Sequence, residues 1–394
     1  MIQQQHTASC QEEYLTAIGL DPARVIYFDI ETTGFRASTS QLYMIGWAVK
    51  LRSEEMSSDE NEPLWAVTQI LAESSAEELP LLKHFYSVLR QYDTIIEFNG
   101  DRFDLPYLRE KSSSFGMKDP FEGMDTVDLY QELRPLRSML GMSRLNQKSV
   151  EQFLHITRED PFNGGELIDV YRSVRNRTAP DMEQALDALF LHNYEDVLGM
   201  LAMTPVLAYP MILRSQAPVA CRVLDTPDTS DTLDTSDTLH TSDPSEGSIE
   251  GCLEGSLEAS FRLDVPVPKD IDHAGRLYRL RVQGDRVILT IALERRVLYH
   301  FFPNYKDYYY LPEEDTALHK SVASFVDPSH RRKATASNCY VKKEGIFLPQ
   351  TEERFLPSFK ESYKDKISWF EFNSSLPEDG ETCSSYIHSL LTDV

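Results

Sequence analysis

The chain has 394 residues, which is longer than one ordinary domain and predicts two or three. It has no run of about 18 apolar residues and no basic segment followed by an apolar one near its start, so we expect neither a membrane span nor a secretory signal. The net charge of −24 argues against tight non-specific binding to nucleic acid. Much of that charge is local, because residues 223–261 hold ten acidic and no basic side chains.

The cysteines are few and scattered. There are five, an odd number, and no two of them form a Cys-x-x-Cys pair. This pattern argues against a disulfide framework and against a structural zinc site. We therefore expect a cytoplasmic protein whose cysteines are reduced.

Apolar, β-branched segments predict the first strands, at residues 25–30, 42–51 and 64–71. The polar stretch at 53–63 suits a hairpin connection between the second and the third. Ser75 and Glu78 have capping-box spacing, and apolar residues then follow at helical intervals. A fourth strand is predicted at 94–98, and helices from Asp104 to about residue 210. This order predicts an α/β domain with a mixed sheet and flanking helices.

The remaining chain divides into an acidic segment and a second domain. Residues 228–233 and 234–239 repeat the same hexapeptide, and few large apolar groups surround them. We interpret 223–260 as a disordered acidic linker, with an acidic nucleic-acid mimic or partner motif as the alternative. Beyond it, 277–282, 286–293 and 295–302 read as strands of a β-rich domain of unknown role. The predicted layout is a tail at 1–20, a domain at 21–222, the linker, and a domain at 261–394.

Acidic residues at the ends of predicted strands carry the first indication of chemistry. Asp29 and Glu31 are two apart in one strand, so their carboxylates project to the same side. Like charges placed together favour a hard cation such as Mg²⁺ or Mn²⁺, although solvated acids at a strand end are the alternative. Asp104 follows the fourth strand and could reach the same edge, or could cap the next helix. Asp101 is a rival that more often bonds its own backbone.

The third indication is a pair on a predicted helix. His192 and Asp196 are four apart and share one helix face. An isolated His–Asp pair of this kind is usually a surface feature. Its position after the two strand-end motifs gives it more weight.

In this order, the three segments resemble the motifs of DEDD-type 3′–5′ exonucleases. The residues that carry the resemblance are Asp29-Ile-Glu31-Thr-Thr-Gly, Asn99-x-x-x-Phe103-Asp104 and His192-x-x-x-Asp196. The closer similarity is to the YprB-type ribonuclease H-like domain family, over roughly residues 21–210. In the third motif, these exonucleases carry Tyr four residues or His five residues before the aspartate, whereas this chain has His192 at the tyrosine position.

The resemblance implies a metal-dependent nuclease with a ribonuclease H-like fold. Asp29, Glu31, Asp104 and Asp196 would hold two divalent cations, Mg²⁺ or Mn²⁺, and His192 would orient or deprotonate the attacking water. Substrate contacts would come from the motif residues Thr32, Thr33, Gly34, Asn99 and Phe103. The expected partner is nucleic acid, as single strands or 3′ ends, and no membrane. A nucleic-acid-binding module that is weakly active or inactive is the alternative, with stacking and phosphate contacts from the aromatic and basic residues of the second domain.

Overall fold

A computed structural model describes residues 1–51, 64–162, 164–225 and 252–392. The chain divides into two compact units. The first comprises Met1–Met211 and Asp264–Asp270, and the second comprises Ile212–Leu263 and Ile271–Val394. The prediction that all of 223–260 is disordered is wrong at both ends, because strands span Ala220–Asp225 and Cys252–Arg262. Residues 226–251 of the predicted linker and the whole predicted hairpin connection at 53–63 lie outside the described residues.

The first unit contains a six-stranded mixed sheet. Its strands are β1 (Ile2–Ser9), β2 (Val25–Thr32), β3 (Leu42–Lys50), β4 (Leu64–Leu71), β5 (Thr94–Glu97) and β6 (Asp125–Asp128). The spatial order is β1-β4-β3-β2-β5-β6. β1 to β4 pair antiparallel, whereas β5 and β6 run parallel to β2. The predicted mixed α/β class is confirmed.

Two predictions for this unit need correction. The predicted tail contains β1, which pairs with β4 along its whole length. The capping box at Ser75 is not formed, because the Glu78 carboxylate instead accepts from Leu42 N at 2.8 Å and pairs with Lys111 Nζ at 2.8 Å. Glu78 is buried, so these partners satisfy a charge that the helix end would otherwise leave inside the fold.

Helices pack on this sheet and on its connections. They are α1 (Glu13–Ala17), α2 (Glu78–Leu89), α3 (Asp104–Ser114), α4 (Leu129–Leu133), α5 (Gln147–Phe153), α6 (Gly164–Arg175), α7 (Met182–Met203) and α8 (Ala208–Arg214), which continues into the second unit. One core joins the sheet to α2 and α3, and another joins α6 and α7 to the sheet. The segment Met182–Arg214 is long and apolar enough to cross a membrane, but 72% of its most apolar window is buried, as in a core helix of a folded domain.

The second unit is rich in β-structure. Its strands are β7 (Ala220–Asp225), β8 (Cys252–Arg262), β9 (Ile271–Ala274), β10 (Arg279–Gln283), β11 (Arg286–Phe301), β12 (Tyr308–Leu311), β13 (Thr316–His319), β14 (Arg332–Lys333), β15 (Tyr340–Gln350) and β16 (Ser368–Glu371), with the helices α9 (Lys320–Ala323) and α10 (Gly380–Leu391). The two strands predicted at 286–293 and 295–302 are one strand, β11, whose register with β8 shifts at Leu293/Glu294. The bulge lets one long strand pair with β8 on one half and with β15 on the other.

A disulfide joins Cys221 and Cys383 within the second unit. The prediction that all cysteines are reduced is therefore wrong for this pair, which are 162 residues apart in sequence. Cys10 and Cys339 are free and buried. Sequence spacing could not indicate the pair, because only the packing of α10 beside β7 brings the two sulfur atoms together.

Candidate metal centre

The candidate site starts at the carboxyl end of β2. Asp29 and Glu31 lie on the same side of that strand, because side chains alternate along it. Strand β5 runs parallel to β2, and Asp104 begins α3 shortly after β5 ends. Glu31 and Asp104 are buried, with 9% and 8% of their surface exposed. The sheet therefore brings the first two sequence motifs to one edge, as predicted.

Helix α7 lies close against the sheet over β3. Gly46 makes this approach possible, because a Cβ atom at this position would stand 2.1 Å from the side-chain oxygen of Asn193. Asn193 is fully buried, and its oxygen accepts from Gln69 Nε2 at 3.0 Å. Its Nδ2 donates to Asp29 Oδ2 at 3.0 Å. This contact ties the third motif directly to the first.

The same helix directs His192 and Asp196 to the carboxylates of β2. His192 Nε2 lies 3.5 Å from Glu31 Oε1 and 3.4 Å from Asp196 Oδ2. Ligand atoms of Glu31, His192 and Asp196 all lie within 4.8 Å of one another. The i to i+4 spacing predicted from the sequence is thus realised on α7.

Burial and neighbouring charges both disfavour ionisation of the acidic side chains in this site. Burial raises the pKa of Asp29 well above its usual value, and the charges of Asp196, Glu31 and Asp104 raise it further. Burial and the charges of Asp196 and Asp104 likewise raise the pKa of Glu31. Burial raises the pKa of Asp104 to about 7, against lowering contributions from backbone hydrogen bonds of Asp104 and Ile30. Carboxyl groups with raised pKa values have too little water and nearby positive charge to stabilise their ionised form.

The donor set suits a divalent cation. Carboxylate oxygens are the ligands that Mg²⁺ and Mn²⁺ prefer, and imidazole is a common ligand of transition metals. A bound dication would offset the repulsion that raises the pKa values of these acids. The residues present therefore fit the metal that the ribonuclease H-like motifs imply.

Asp196 has a partner that sequence analysis did not find. Arg158 pairs with Asp196 Oδ1 at 2.6 Å and with Glu151 through two contacts of 2.5 and 2.7 Å. Burial raises the pKa of Asp196, while the charges of His192 and Arg158 lower it. Arg158 thus occupies one oxygen of Asp196, and the other oxygen faces His192.

Asp160 is a second residue that sequence analysis did not find, and its carboxylate forms a hydrogen bond with His192. Its Oδ2 lies 2.6 Å from His192 Nδ1, and its side chain is fully buried. Burial opposes ionisation of Asp160, but the hydrogen bond with His192 brings its pKa below the usual value. The segment that carries Arg158 and Asp160 has no helix or strand, and the backbone N–H groups of residues 159 and 160 donate to Glu195. No periodic pattern in the sequence marks such a segment.

The remaining predicted motif residues shape the loops beside the acids. Thr32 Oγ1 donates to Gly34 O at 3.0 Å, and Thr33 Oγ1 accepts from the backbone N–H of Gln41 at 2.8 Å. Asn99 adopts φ 63°, a conformation that asparagine tolerates in turns. Thr32 thus ends β2, whereas Thr33 and Asn99 lie in the connections that follow β2 and β5.

Two aromatic rings lie in these loops. Phe103 packs edge-on against Phe35, with ring centroids 6.0 Å apart. Phe35 is 91% exposed, which is unusual for a large apolar side chain. Sequence analysis missed Phe35, although an apolar residue directly after the polar Thr-Thr-Gly turn was a usable signal.

A second acidic group lies nearby. Glu97, Asp101 and Asp128 also place ligand atoms within 4.8 Å of one another. Burial and the charge of Asp128 raise the pKa of Glu97 to about 9. Glu97 accepts from the backbone N–H groups of Gly100 and Asp101, and Asp128 accepts from that of Asn99. Asp101 therefore belongs to this group, and not to the set formed by Glu31, His192 and Asp196.

Comparison with known proteins agrees with this geometry. Residues 26–208 match the family model of the RNase_H superfamily. This part of the chain has a ribonuclease H-like fold. The matched region contains all four predicted carboxylates together with His192, and the match supports an enzyme of the nuclease type whose acidic cluster could hold a metal ion. The YprB-type family and the DEDD type remain predictions.

A family B DNA polymerase from the hyperthermophilic archaeon Pyrobaculum calidifontis is similar in structure, with 17% identity and a TM-score of 0.35. The similarity covers 49% of this chain and 26% of the polymerase. This chain therefore spans about a quarter of the polymerase's length. No curated protein matches the sequence.

Proposed function

We propose that this protein is a metal-dependent 3′–5′ exonuclease that hydrolyses phosphodiester bonds of DNA or RNA. One observation carries the proposal: buried carboxylates from two sequence motifs meet the histidine and aspartate of a third. Burial, and after it the charges of the neighbouring acids, raises the pKa values of Asp29, Glu31 and Asp104. An arrangement that destabilises the fold is best explained by a ligand that stabilises it, and a dication at this site also lets a polyanion approach.

In this proposal Asp29, Glu31, Asp104 and Asp196 hold two divalent cations, Mg²⁺ or Mn²⁺. The bound cations would supply the Lewis acid that phosphodiester hydrolysis needs. The protein orients the carboxylates by hydrogen bonds: Asn193 donates to Asp29, and the Tyr43 hydroxyl lies 3.5 Å from Glu31 Oε2. Fixed acids remove the reorganisation that flexible ones would require at the moment of reaction.

Substrate contacts follow from the exposed ring beside the site. Phe35 is positioned to stack on a base, since base–aromatic stacking binds single strands without regard to sequence. Phe103 contacts that ring edge-on. Together they favour single strands or 3′ ends, whose bases are free to stack.

A degradation time course tests the proposal. Purified protein would receive 5′-labelled single-stranded DNA or RNA with Mg²⁺, Mn²⁺ or EDTA, alongside the variants Asp104→Ala and Asp196→Asn. We expect a ladder that shortens one nucleotide at a time, and no ladder with EDTA or with either variant. Asp187→Asn is the matched control, because Asp187 lies exposed on the same helix as Asp196.

The outcomes separate the parts of the proposal. Internal fragments in place of a ladder would exclude exonucleolytic action. Metal-dependent activity that persists in both purified variants would remove these two residues from the mechanism. Loss of activity in Asp187→Asn as well would show that the substitutions act through folding.

A specific observation favours a second candidate, a nucleic-acid-binding module without catalysis. Arg158 already pairs with Asp196 and so supplies part of the positive charge that a cation would bring. His192 also stands where these exonucleases carry tyrosine. Isothermal titration with Mn²⁺ distinguishes the two functions: the enzyme binds the ion and Asp29→Ala abolishes binding, whereas the module binds single strands with no need of it.

A further inference from the structure

The ring orientation of His192 bears on its chemical role. Its Nδ1 lies 2.6 Å from Asp160 Oδ2. A carboxylate only accepts hydrogen bonds, so Nδ1 carries a proton in this pair, and Nε2 is the ring nitrogen that faces the site and could bind a cation in place of a proton. The buried Asp160 therefore selects both the tautomer and the direction of the ring.

The surroundings of Nε2 are the acids of the candidate site. Nε2 lies 3.5 Å from Glu31 Oε1 and 3.4 Å from Asp196 Oδ2. These separations exceed the usual hydrogen-bond range of about 2.7–3.2 Å. They lie at or just above the upper end of the distances of roughly 3.0–3.4 Å between neighbouring ligand atoms that each lie about 2.1 Å from one ion. Nε2 is thus spaced as a member of a ligand set.

The opposite oxygens of the two acids have other neighbours. Asp196 Oδ1 pairs with Arg158, and Glu31 Oε2 faces the hydroxyl of Tyr43. Each acid therefore turns one oxygen to the protein and the other to Nε2. A water-activating base would need open space at Nε2 towards the substrate, whereas here carboxylates approach it from β2 and from α7.

We propose that His192 Nε2 is a metal ligand, that it forms one cation site with Glu31 and Asp196, and that Asp160 is the residue that positions it. The inference rests on the proposed metal-dependent function and replaces a general base with a ligand. An imidazole among the ligands favours transition metals, whose affinity for nitrogen-containing sites rises from Mn²⁺ to Co²⁺, over Mg²⁺. The site consequently prefers Mn²⁺ and Co²⁺ to Mg²⁺.

Pulsed electron paramagnetic resonance of the Mn²⁺-bound full chain tests this inference without any activity assay. We expect electron spin echo modulation from a directly coordinated ¹⁴N nucleus in the native protein. His192→Gln should lose the modulation, while His84→Gln should keep it, because His84 is an exposed histidine on α2. Asp160→Asn should keep the ligand nitrogen but weaken Mn²⁺ binding by roughly 10–100-fold, the usual effect of losing such a supporting carboxylate.

Competition between Mn²⁺ and Mg²⁺ provides a second readout. The native protein should bind Mn²⁺ more tightly than Mg²⁺. His192→Gln should weaken Mn²⁺ binding more than it weakens Mg²⁺ binding, so that the preference for Mn²⁺ becomes smaller. Bound Mn²⁺ without nitrogen modulation in the native protein would overturn the inference while leaving the proposed nuclease intact. Absence of any Mn²⁺ binding would overturn the metal centre itself. Modulation that survives in His192→Gln would assign the nitrogen to another residue and overturn the inference.

Discussion

Asp104 is a buried acid of the candidate site whose ionisation bears on the stability of the fold. Burial raises the pKa of its carboxyl group from 3.8 to about 7. An acid whose pKa is higher in the folded than in the unfolded protein weakens folding above its folded pKa. The stability lost in this way is regained as the pH falls from the pKa of the folded state towards that of the unfolded state. The difference between the two values corresponds to about 4 kcal/mol at pH 8.

Asp104→Asn should therefore stabilise the metal-free protein. We expect the free energy of unfolding of the first unit to rise by on the order of 2–4 kcal/mol near pH 8, less whatever hydrogen bonding the amide fails to replace. The gain should shrink as the pH falls below 7 and vanish below the unfolded pKa of 3.8, where the native carboxyl group is protonated in both states. Urea denaturation in EDTA, followed by circular dichroism at several pH values, measures this difference.

Two comparisons make the test decisive. Asp187→Asn changes an exposed acid of α7 and should alter stability by no more than about 0.5 kcal/mol. Added Mn²⁺ should raise the free energy of unfolding of the native protein more than that of the Asp104→Asn variant, since ligand binding to the folded state raises stability. A variant that is less stable than the native protein at pH 8, with no dependence on pH, would refute the electrostatic reasoning.

Three further predictions concern packing, a buried ion pair and substrate binding. Gly46→Ala should lower stability by about 1–3 kcal/mol in denaturation, because the added methyl overlaps Asn193; Gly164→Ala, where nothing lies within 4 Å, should not. Lys111→Met should lower stability by about 3–5 kcal/mol, because it leaves the Glu78 carboxylate buried without its cation. Lys83→Met, on the exposed face of α2, should have little effect. Phe35→Ala should leave the melting temperature unchanged and weaken single-strand binding by about 1–3 kcal/mol in fluorescence anisotropy; unchanged affinity would argue against stacking by this ring.

The buried strands of the first unit could be predicted because burial on both faces requires continuous apolar sequence. β2, β3 and β4 are of this kind, and their predicted bounds agree with the structure to within two residues. Strand β1 was missed because it is polar and lies at the edge of the sheet, where most of its side chains are exposed or half-buried. Its pairing comes from the backbone, which composition does not reveal.

The candidate site was predictable in the part that depends on periodicity. Spacing of two in a strand and of four in a helix correctly placed Asp29 beside Glu31 and His192 beside Asp196. Arg158 and Asp160 depend instead on a segment without regular structure that Glu195 holds against α7. Their contacts exist only in the folded chain, so no local pattern could indicate them.

Charge balance finally relates the missed residues to the predicted ones. Arg158 is the buried cation that touches Asp196, but it also pairs with Glu151, so its charge is already matched. Lys148 approaches Asp160 at 3.7 Å, and Asp160 is further satisfied by His192. Both cations are paired with other acids, and burial together with the charges of neighbouring acids raises the pKa values of Asp29, Glu31 and Asp104. A divalent cation held by these acids would supply the missing positive charge, which is why removal of metal and neutralisation of Asp104 should have opposite effects on stability.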